Sequence, residues 1–517
     1  MDPQTPPSDQ GHTATNTRSL ARRLVRGVQL GFLIIASFQL GGPFLTAHNE
    51  RQNQTYDAAR HVFQDGWSAV LTPRASFSLP GYESRPYTVM RQEFPFHGLL
   101  GWPFVKWFGH ERVVVRLVSI VFALFSIEFI YLILQSRLNP GSAAIGAALW
   151  GLSPLVLQFG QVPMPDILCT TGMLGAFWFA LKPNLPASSA WFLFAILAKV
   201  SIIFFGLPIL TALWLAKNCR TPGNFLRIAL TWGIAPLIGL LAWTTLEILD
   251  PNTPWTVVKM ISKHGGTWNL LTVRFYVFLL ASLLPYGLGM LGILGVFRAV
   301  VRNAVKISPA ILVTVLIAML LYLVTVVAKI PEPQYILPLL AWLVMAAAFG
   351  LNAFAGGFPS PGRRAVLAAV VTAHVLVAII FVCDLKSPHV PAIGDIETAA
   401  KLIPAHSHVI AAYPFYGASP AIWLGQNTYA VHSPEELEGV LPELRKDNFD
   451  YIIILDVKSH SMNSHKGPAA LGAPATANLI DYTETNSPFR QFCDRRFTQI
   501  YATRYVVLYA LKPGNHE

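Results

Sequence analysis

The chain has 517 residues, of which 53% are hydrophobic and only 13% charged, with a formal net charge of +11. That balance excludes an ordinary soluble domain and fits a polytopic α-helical membrane protein. The excess of positive charge does not call for a nucleic-acid partner, because the basic residues stand in short clusters between apolar runs, as the positive-inside rule requires.

Residues 1–27 are polar and end in Arg18, Arg22, Arg23 and Arg26, which predicts a disordered cytoplasmic tail ahead of a first span, Val28–Thr46. The span is read as uncleaved, since His48-Asn49-Glu50 is a poor match to a small-residue cleavage site. Residues 47–112 then form an outer loop of roughly sixty residues, far longer than a simple connection needs, which marks it as functional. Within it Tyr56, Ala59 and Phe63 share a helical spacing that suits a helix from Tyr56 to Trp67 lying along the membrane surface. Pro73, Pro80, Gly81 and Pro86 punctuate the remainder as loop.

Further spans are expected at Val113–Leu134, Ala143–Phe159 and Ile167–Leu181, with Arg116 near an outer end where its side chain can snorkel. Ser188–Ala198 and Ile202–Ala216 are each shorter than the roughly twenty residues a span needs. One continuous helix would leave Lys199 in lipid, at about 3 kcal/mol on insertion scales. A pair of short helices meeting at Lys199-Val200-Ser201 is therefore expected, with Lys199 outside and Lys217, Arg220 and Arg227 inside.

Ile228–Leu246 leads to a second outer loop, from Glu247 to Arg274, followed by Phe275–Phe297, Ala310–Ala328, Ile336–Phe354 and Ala365–Val382. The sum is about eleven spans with the N-terminus inside and the C-terminus outside, a transmembrane domain over residues 28–384. Residues 385–517 lack a membrane-length apolar run and read as a soluble α/β domain. His408–Tyr413, Tyr451–Leu455 and Tyr505–Leu508 are its strand-like runs, and a capped helix, Pro434–Arg445, follows Ser433. Cys169, Cys219, Cys383 and Cys493 have neither disulfide-framework nor metal-ligand spacing.

The outer ends collect Glu50, Arg51, Asp57, Glu93, Asp166, Lys199, Lys329 and Tyr335. Each also has a plainer reading. Lys199 suits an interfacial anchor, Asp166 a cap for the helix that follows it, and Glu50 and Asp57 solvated loop charges. Arg116 suits an anchor or the partner of a buried carboxylate. Brought to one face at the lipid boundary, these groups suit a reaction between a membrane-borne phosphate and a polar partner. Cations would neutralise the leaving phosphate and a carboxylate would take a proton from an attacking hydroxyl.

Taken together, these segments resemble the GT-C superfamily of polyprenyl-phosphate-sugar-dependent glycosyltransferases, which includes protein mannosyltransferases and the aminoarabinose lipid A transferase. Tyr56-Asp57-Ala58-Ala59-Arg60 looks like the family's first surface helix, and Gln92-Glu93-Phe94-Pro95-Phe96 stands where relatives carry an acidic residue and a proline-containing run. Arg116-Leu117-Val118-Ser119, Met164-Pro165-Asp166 and Leu197-Ala198-Lys199 resemble further family patterns in the same order. Ala328-Lys329-Ile330 with Pro333-Gln334-Tyr335-Ile336-Leu337-Pro338 is similar to the lipid A transferase pattern Lys-Leu-Pro-Thr-Tyr-Ile-Leu-Pro.

The resemblance implies that Lys199 and Tyr335 bind the donor phosphate, helped by Lys329 and Arg116, with Glu93 beside the donor. Asp166 would organise the first outer loop or the acceptor site. Relatives place an acidic residue just after the first span. An ungapped match on Ala59-Arg60 puts Arg51 there, while a sub-branch pattern Arg-Gln-x-Gln-Thr fits Arg51-Gln52-Asn53-Gln54-Thr55 and puts the expected aspartate on Thr46. Glu50 is accordingly the candidate base and Asp57 the fallback.

The implied reaction is an inverting transfer from a polyprenyl-phosphate sugar to a lipid, glycan or protein acceptor. It would occur at a bacterial inner membrane, with the site and the C-terminal domain on the periplasmic side. No cofactor is expected; a divalent cation held by Asp166 and a first-loop carboxylate stays open. The rival readings are a flippase or transporter of lipid-linked sugars, which would need polar residues through the midplane and often shows two related halves, and a non-catalytic glycan-binding membrane protein.

Overall fold

Helices take up most of the first 355 residues, and they are shorter and more often broken than apolar runs alone suggest. A computed structural model describes residues 10–38, 40–41, 49–71, 76–78, 94–217, 222–248, 267–301, 307–329, 331–355, 376, 380, 392–412, 418–456 and 483–511. The expected last span, Ala365–Val382, lies outside these except for helical Leu376 and Ile380.

The first described element is α1 (Gln10–Ser37), so the expected tail, residues 1–27, is helical from Gln10 onward. The cause lies in the neighbouring span. Glu128 sits among apolar residues there and needs a counter-charge, and Arg22 supplies it at 2.7 Å with its guanidinium stacked over the Tyr131 ring. The segment between residues 47 and 112 holds α2 (Asn49–Asp65), α3 (Ser68–Leu71), the two-residue strand β1 (Phe77–Ser78) and α4 (Phe96–Phe108). Gly66 and Gly109 stop α2 and α4 with φ of +65° and +68°, a left-handed turn that glycine takes without strain.

Next come α5 (Glu111–Gln135), α6 (Pro140–Gly151) and α7 (Pro154–Phe159). The expected continuous span Ala143–Phe159 is thus two helices, because Pro154 has no N–H to carry the first onward and instead starts the second. After α8 (Pro165–Leu181) and α9 (Leu185–Ala198), the chain breaks at Lys199, whose backbone is extended (φ −160°, ψ 112°), passes through a 3₁₀ turn (Val200–Phe205) and continues as α10 (Gly206–Ala216). The paired short helices expected on either side of Lys199 are what the fold contains.

Beyond α11 (Pro222–Ile248), α12 (Val273–Leu283) and α13 (Gly289–Val301) replace the single expected span Phe275–Phe297. The path bends by 104° there, through a wide turn at Leu284–Leu288 that contains Pro285, and Gly289 takes φ +61° at the corner. Two more helices follow, α14 (Pro309–Tyr322) and α15 (Leu337–Ala355), the second preceded by a 3₁₀ turn at Pro333–Ile336. Among the described residues four helices are long and apolar enough to cross a membrane, five if the bent pair counts as one, and Pro165–Leu181, Leu185–Ala198 and Val200–Ala216 are shorter apolar helices. Pro333–Ala353 is 78% buried and central, whereas Gly223–Thr245 is only 22% buried and presents most of its surface outward, as a lipid-facing helix does.

Helices α13 and α15 touch backbone to backbone through glycines. A Cβ on Gly350 would fall on the Gly295 carbonyl oxygen, and one on Gly295 would lie 2.5 Å from the Ala347 carbonyl oxygen. Gly350→Ala is therefore expected to destabilise the protein by about 1–3 kcal/mol. Gly233→Ala, where nothing lies within 4 Å, should leave it unchanged; thermal unfolding in detergent checks both.

The C-terminal part contains α16 (Ala392–Lys401), β2 (His408–Ala412), α17 (Ala418–Leu424), β3 (Asn427–Val431), α18 (Pro434–Lys446), β4 (Phe449–Leu455), α19 (Pro488–Arg496), β5 (Thr498–Ala502) and β6 (Val506–Ala510). Alternate strand residues feed two cores. Val409, Ala411, Ile453 and Leu508 pack with Ile396 and Ala399 of α16, while Ile410, Ala412, Ile454 and Val507 pack with Leu437 and Leu441 of α18 and Phe489 of α19. A sheet covered on both faces explains strands that are apolar throughout. Burial also pushes the Cys493 thiol up to about 12, so it stays protonated and inert.

The sheet order is β1-β3-β2-β4-β6-β5, with β1, β3, β2 and β4 parallel and the last two pairings antiparallel. Its first strand comes from the segment between residues 47 and 112, more than three hundred residues upstream of the others. The soluble domain expected over residues 385–517 is therefore completed by a piece of the first loop.

Candidate active site

Three of the residues singled out above meet at the break between α9 and α10. The Lys199 Nζ lies 2.5 Å from Asp166 Oδ1 and 3.7 Å from the centre of the Tyr335 ring. Each group is presented by a helix end. Lys199 follows the last turn of α9, Asp166 stands in the first turn of α8 behind Pro165, and Tyr335 belongs to the 3₁₀ turn before α15. Helix ends leave backbone groups unpaired, and polar side chains gather there more cheaply than along a span.

Asp166 is only 2% exposed and the Lys199 side chain 14%. Charges so enclosed persist only as a pair with further hydrogen bonds or ring contacts. An ammonium has three N–H groups; one goes to Asp166 and the aromatic face occupies another direction, which leaves donor capacity for an arriving anion. The pair is neutral as a whole, so attraction for an anion needs other cations. Glu332 and then Arg51 are within electrostatic reach of the Tyr335 phenol, with opposite signs, and Lys329, half-buried a few residues before Tyr335, has no ion-pair partner among the described residues.

Two further groups belong here that the sequence did not single out. The phenol of Tyr322, buried at the end of α14, lies within electrostatic reach of Asp166 and Tyr335, and Cys169 Sγ donates to the Asp166 carbonyl at 3.1 Å. Tyr322 interrupts the aliphatic stretch Met319-Leu320-Leu321-Tyr322-Leu323-Val324, a signal that was there to be read. Thr170 Oγ1 also donates to the Asp166 carbonyl, at 2.8 Å, and so steadies the turn that carries the carboxylate.

Arg116 does not snorkel. It is buried, and its Nη1 donates to the Leu40 carbonyl at 2.6 Å, which ties the chain leaving α1 to α5. Ser119, three residues on, donates to the Val162 carbonyl at 2.6 Å and lies 3.0 Å from His97 Nε2, which joins α4, α5 and the turn leading to Asp166. The Arg-Leu-x-Ser stretch is therefore a fastening of loops to α5.

The apolar face of α2 is turned to protein. Tyr56, Ala59 and Phe63 pack with Val115 of α5 and Ile422 of α17, so the helix is held between the membrane domain and the C-terminal domain. Residues 52–57 are all buried, Gln52 among them, and Arg51 donates to Gln54 at 3.2 Å. The Tyr56 hydroxyl donates to Glu111 at 3.0 Å; burial first, then the Glu111 charge, push its phenol up to about 12, so it remains a donor. Arg60 is half-buried on the same helix.

Asp57 is 1% exposed, and both its oxygens accept from Ser76, 2.7 Å from the backbone nitrogen and 2.7 Å from Oγ. Its carboxylate is thus engaged by Ser76, with His61 Nε2 3.8 Å away. Glu50 stands in the first turn of α2, one residue before Arg51; its side chain, like Glu93 and His48 as a whole, is outside the described residues. Among the described residues no three His, Cys, Asp or Glu side chains gather as a metal cage.

Residues 92–243 match the family model described as dolichyl-phosphate-mannose-protein mannosyltransferase. No curated protein sequence matches the chain. Among solved structures it is similar to ArnT from Cupriavidus metallidurans bound to undecaprenyl phosphate, with TM-score 0.58 and 15% identity, covering 95% of this chain and 98% of that one. It is similar also to the Archaeoglobus fulgidus oligosaccharyltransferase in complex with Zn and sulfate, with TM-score 0.51 and 12% identity over 93% of this chain and 73% of that one. A third likeness is the arabinofuranosyltransferase AftD from Mycobacteria, with TM-score 0.54 and 14% identity over 95% of this chain and 42% of that one.

Proposed function

Because the chain carries the fold of the GT-C superfamily of glycosyltransferases, we propose that it is a membrane glycosyltransferase that moves a sugar from a polyprenyl phosphate to a lipid, glycan or protein acceptor, with inversion. The observation that carries this reading is the enclosed ammonium of Lys199, held between Asp166 and the Tyr335 ring at a helix break. ArnT, whose fold the chain shares, is bound to undecaprenyl phosphate, and a polyprenyl phosphate delivers its anion at the level of helix ends, where Lys199 stands.

In the proposed reaction the acceptor hydroxyl or amine gives its proton to Glu50 on the first turn of α2 and attacks the anomeric carbon from the face opposite the phosphate. The bond from that carbon to the phosphate oxygen breaks, and its electron pair leaves on the lipid phosphate. Lys199 stabilises that charge, and Arg51 and Lys329 together outnumber the Glu332 carboxylate, which supplies the positive excess that the Lys199–Asp166 pair lacks. Asp166 keeps the ammonium charged and aimed, and the Tyr335 ring closes one side. A donor supplied from the lipid phase makes a nucleotide sugar unnecessary on the outer face. The work would take place at a bacterial inner membrane, with α2 and the C-terminal domain on the periplasmic side.

Mass spectrometry of surface glycans and lipids from a deletion strain tests the reading. One species should lose the mass of a single sugar, the wild-type gene should restore it, and the Lys199→Met gene should not. An unchanged profile in the deletion strain would contradict transfer. A build-up of the lipid-linked donor on the inner leaflet would point to a transporter.

A further inference from the structure

Asp57 is held in a way that a proton acceptor is not. Its two oxygens each receive one hydrogen bond from Ser76, and its side chain is closed to solvent. With the Ser76 hydroxyl proton directed at Asp57, the Ser76 oxygen is left to accept, and His61 Nε2, 3.2 Å away, is the donor on that side. Ser76 is also the last residue before β1. Its carbonyl accepts from the Thr428 N–H at 2.9 Å, and Phe77 and Ser78 pair with Thr428 and Tyr429 of β3. One carboxylate on α2 thus fixes the residue that enters the C-terminal sheet. The apolar contact of Ile422 with Tyr56, Ala59 and Phe63 presses the same helix from the same domain.

The opposite end of α2 points to the other partner. Arg51 lies six residues before Asp57, about 9 Å along the helix axis, and acts electrostatically on Tyr335. A rigid helix held at Asp57 therefore fixes the position of its first turn relative to the Lys199 pair.

We infer that Asp57 is a positioning residue: through Ser76 it latches the edge of the C-terminal sheet to α2 and so holds the turn carrying Glu50 and Arg51 at the Lys199–Tyr335 end of the site. The C-terminal domain is then part of the assembled active site, and its docking sets the geometry of the proton-accepting turn. The inference rests on the transfer reading for its consequence in catalysis, but the latch itself is independent of it.

Two substitutions separate the roles. Asn at this position keeps an acceptor for the Ser76 N–H and offers an N–H to the Ser76 oxygen, but cannot take a proton; Ala removes both bonds. Amide exchange is measured on the full-length protein in nanodiscs, at Ser76 and over residues 427–431 and 49–65. Asp57→Ala is expected to raise exchange there by about tenfold or more and Asp57→Asn by no more than about threefold. Product restored to the deletion strain should follow the same order, with Asp57→Asn rescuing most of what Asp57→Ala loses.

Unchanged exchange in Asp57→Ala would overturn the latch. Normal exchange in Asp57→Asn with product lowered by about 10²–10⁴-fold would overturn the positioning role and make Asp57 the base. If the wild-type gene itself yields no sugar-transfer product, the transfer reading fails, and the exchange results alone decide the latch.

Discussion

Lys199→Met should abolish transfer and weaken the fold at the same time. Removal of the ammonium leaves the Asp166 carboxylate, 2% exposed, with no counter-charge, and breaking a buried pair from one side costs about 3–5 kcal/mol. Loss of the cation that faces the leaving phosphate should lower turnover by about 10²–10³-fold, the scale seen when one preorganised donor to a developing charge is removed. The two effects come apart in the double variant Asp166→Asn/Lys199→Met. With both charges gone, unfolding should return most of the way to the wild-type temperature while product stays absent. A double variant that restores product would show that the pair serves the fold alone.

Glu50→Gln should separate chemistry from binding in the other direction. The amide has nearly the carboxylate's shape but cannot accept the acceptor's proton, so turnover should fall by about 10²–10⁴-fold. Undecaprenyl phosphate, which in the proposed arrangement touches Lys199 and not Glu50, should bind Glu50→Gln as it binds the wild type, leaving a loss in kcat with little change in KM. Binding is measured with undecaprenyl phosphate on the purified protein, and turnover as product formed in membranes. Equal activity in Glu50→Gln and wild type would remove Glu50 from the mechanism and leave the proton acceptor to another group.

The meeting of Lys199, Asp166 and Tyr335 was legible because it rests on local conflicts. Lys199 lies between two apolar runs, each too short to span a membrane, and only a break there keeps an ammonium out of lipid. Asp166 follows Pro165 and Tyr335 stands two residues after Pro333, each at the start of a helix or turn, where a polar side chain belongs. What the sequence hid depends on distant partners. Nothing in Phe77-Ser78 announces a strand, since two residues carry no periodicity and the pairing partner, Thr428-Tyr429, is some 350 residues away in the chain. Asp57 reads as a loop charge until Ser76 is seen against it, and Arg116 as an interfacial anchor until the Leu40 carbonyl is.

Helix breaks were harder to read than helices. Pro154 ends one element and begins the next within an unbroken apolar run, and the 104° bend before Gly289 falls where hydropathy alone continues. The N-terminal arginines were read as a charge signal about orientation; Arg22 is in addition a specific partner for Glu128. In each case the missing information was a contact between segments, which composition and spacing do not carry.

A structure of the full chain with undecaprenyl phosphate bound tests the central claim most directly. A phosphate oxygen about 3 Å from Lys199 Nζ, with Asp166 still paired to the same ammonium and the Tyr335 ring alongside, is the result expected. A phosphate bound elsewhere on the protein, with Lys199 still closed between Asp166 and Tyr335 and away from the lipid, would contradict it.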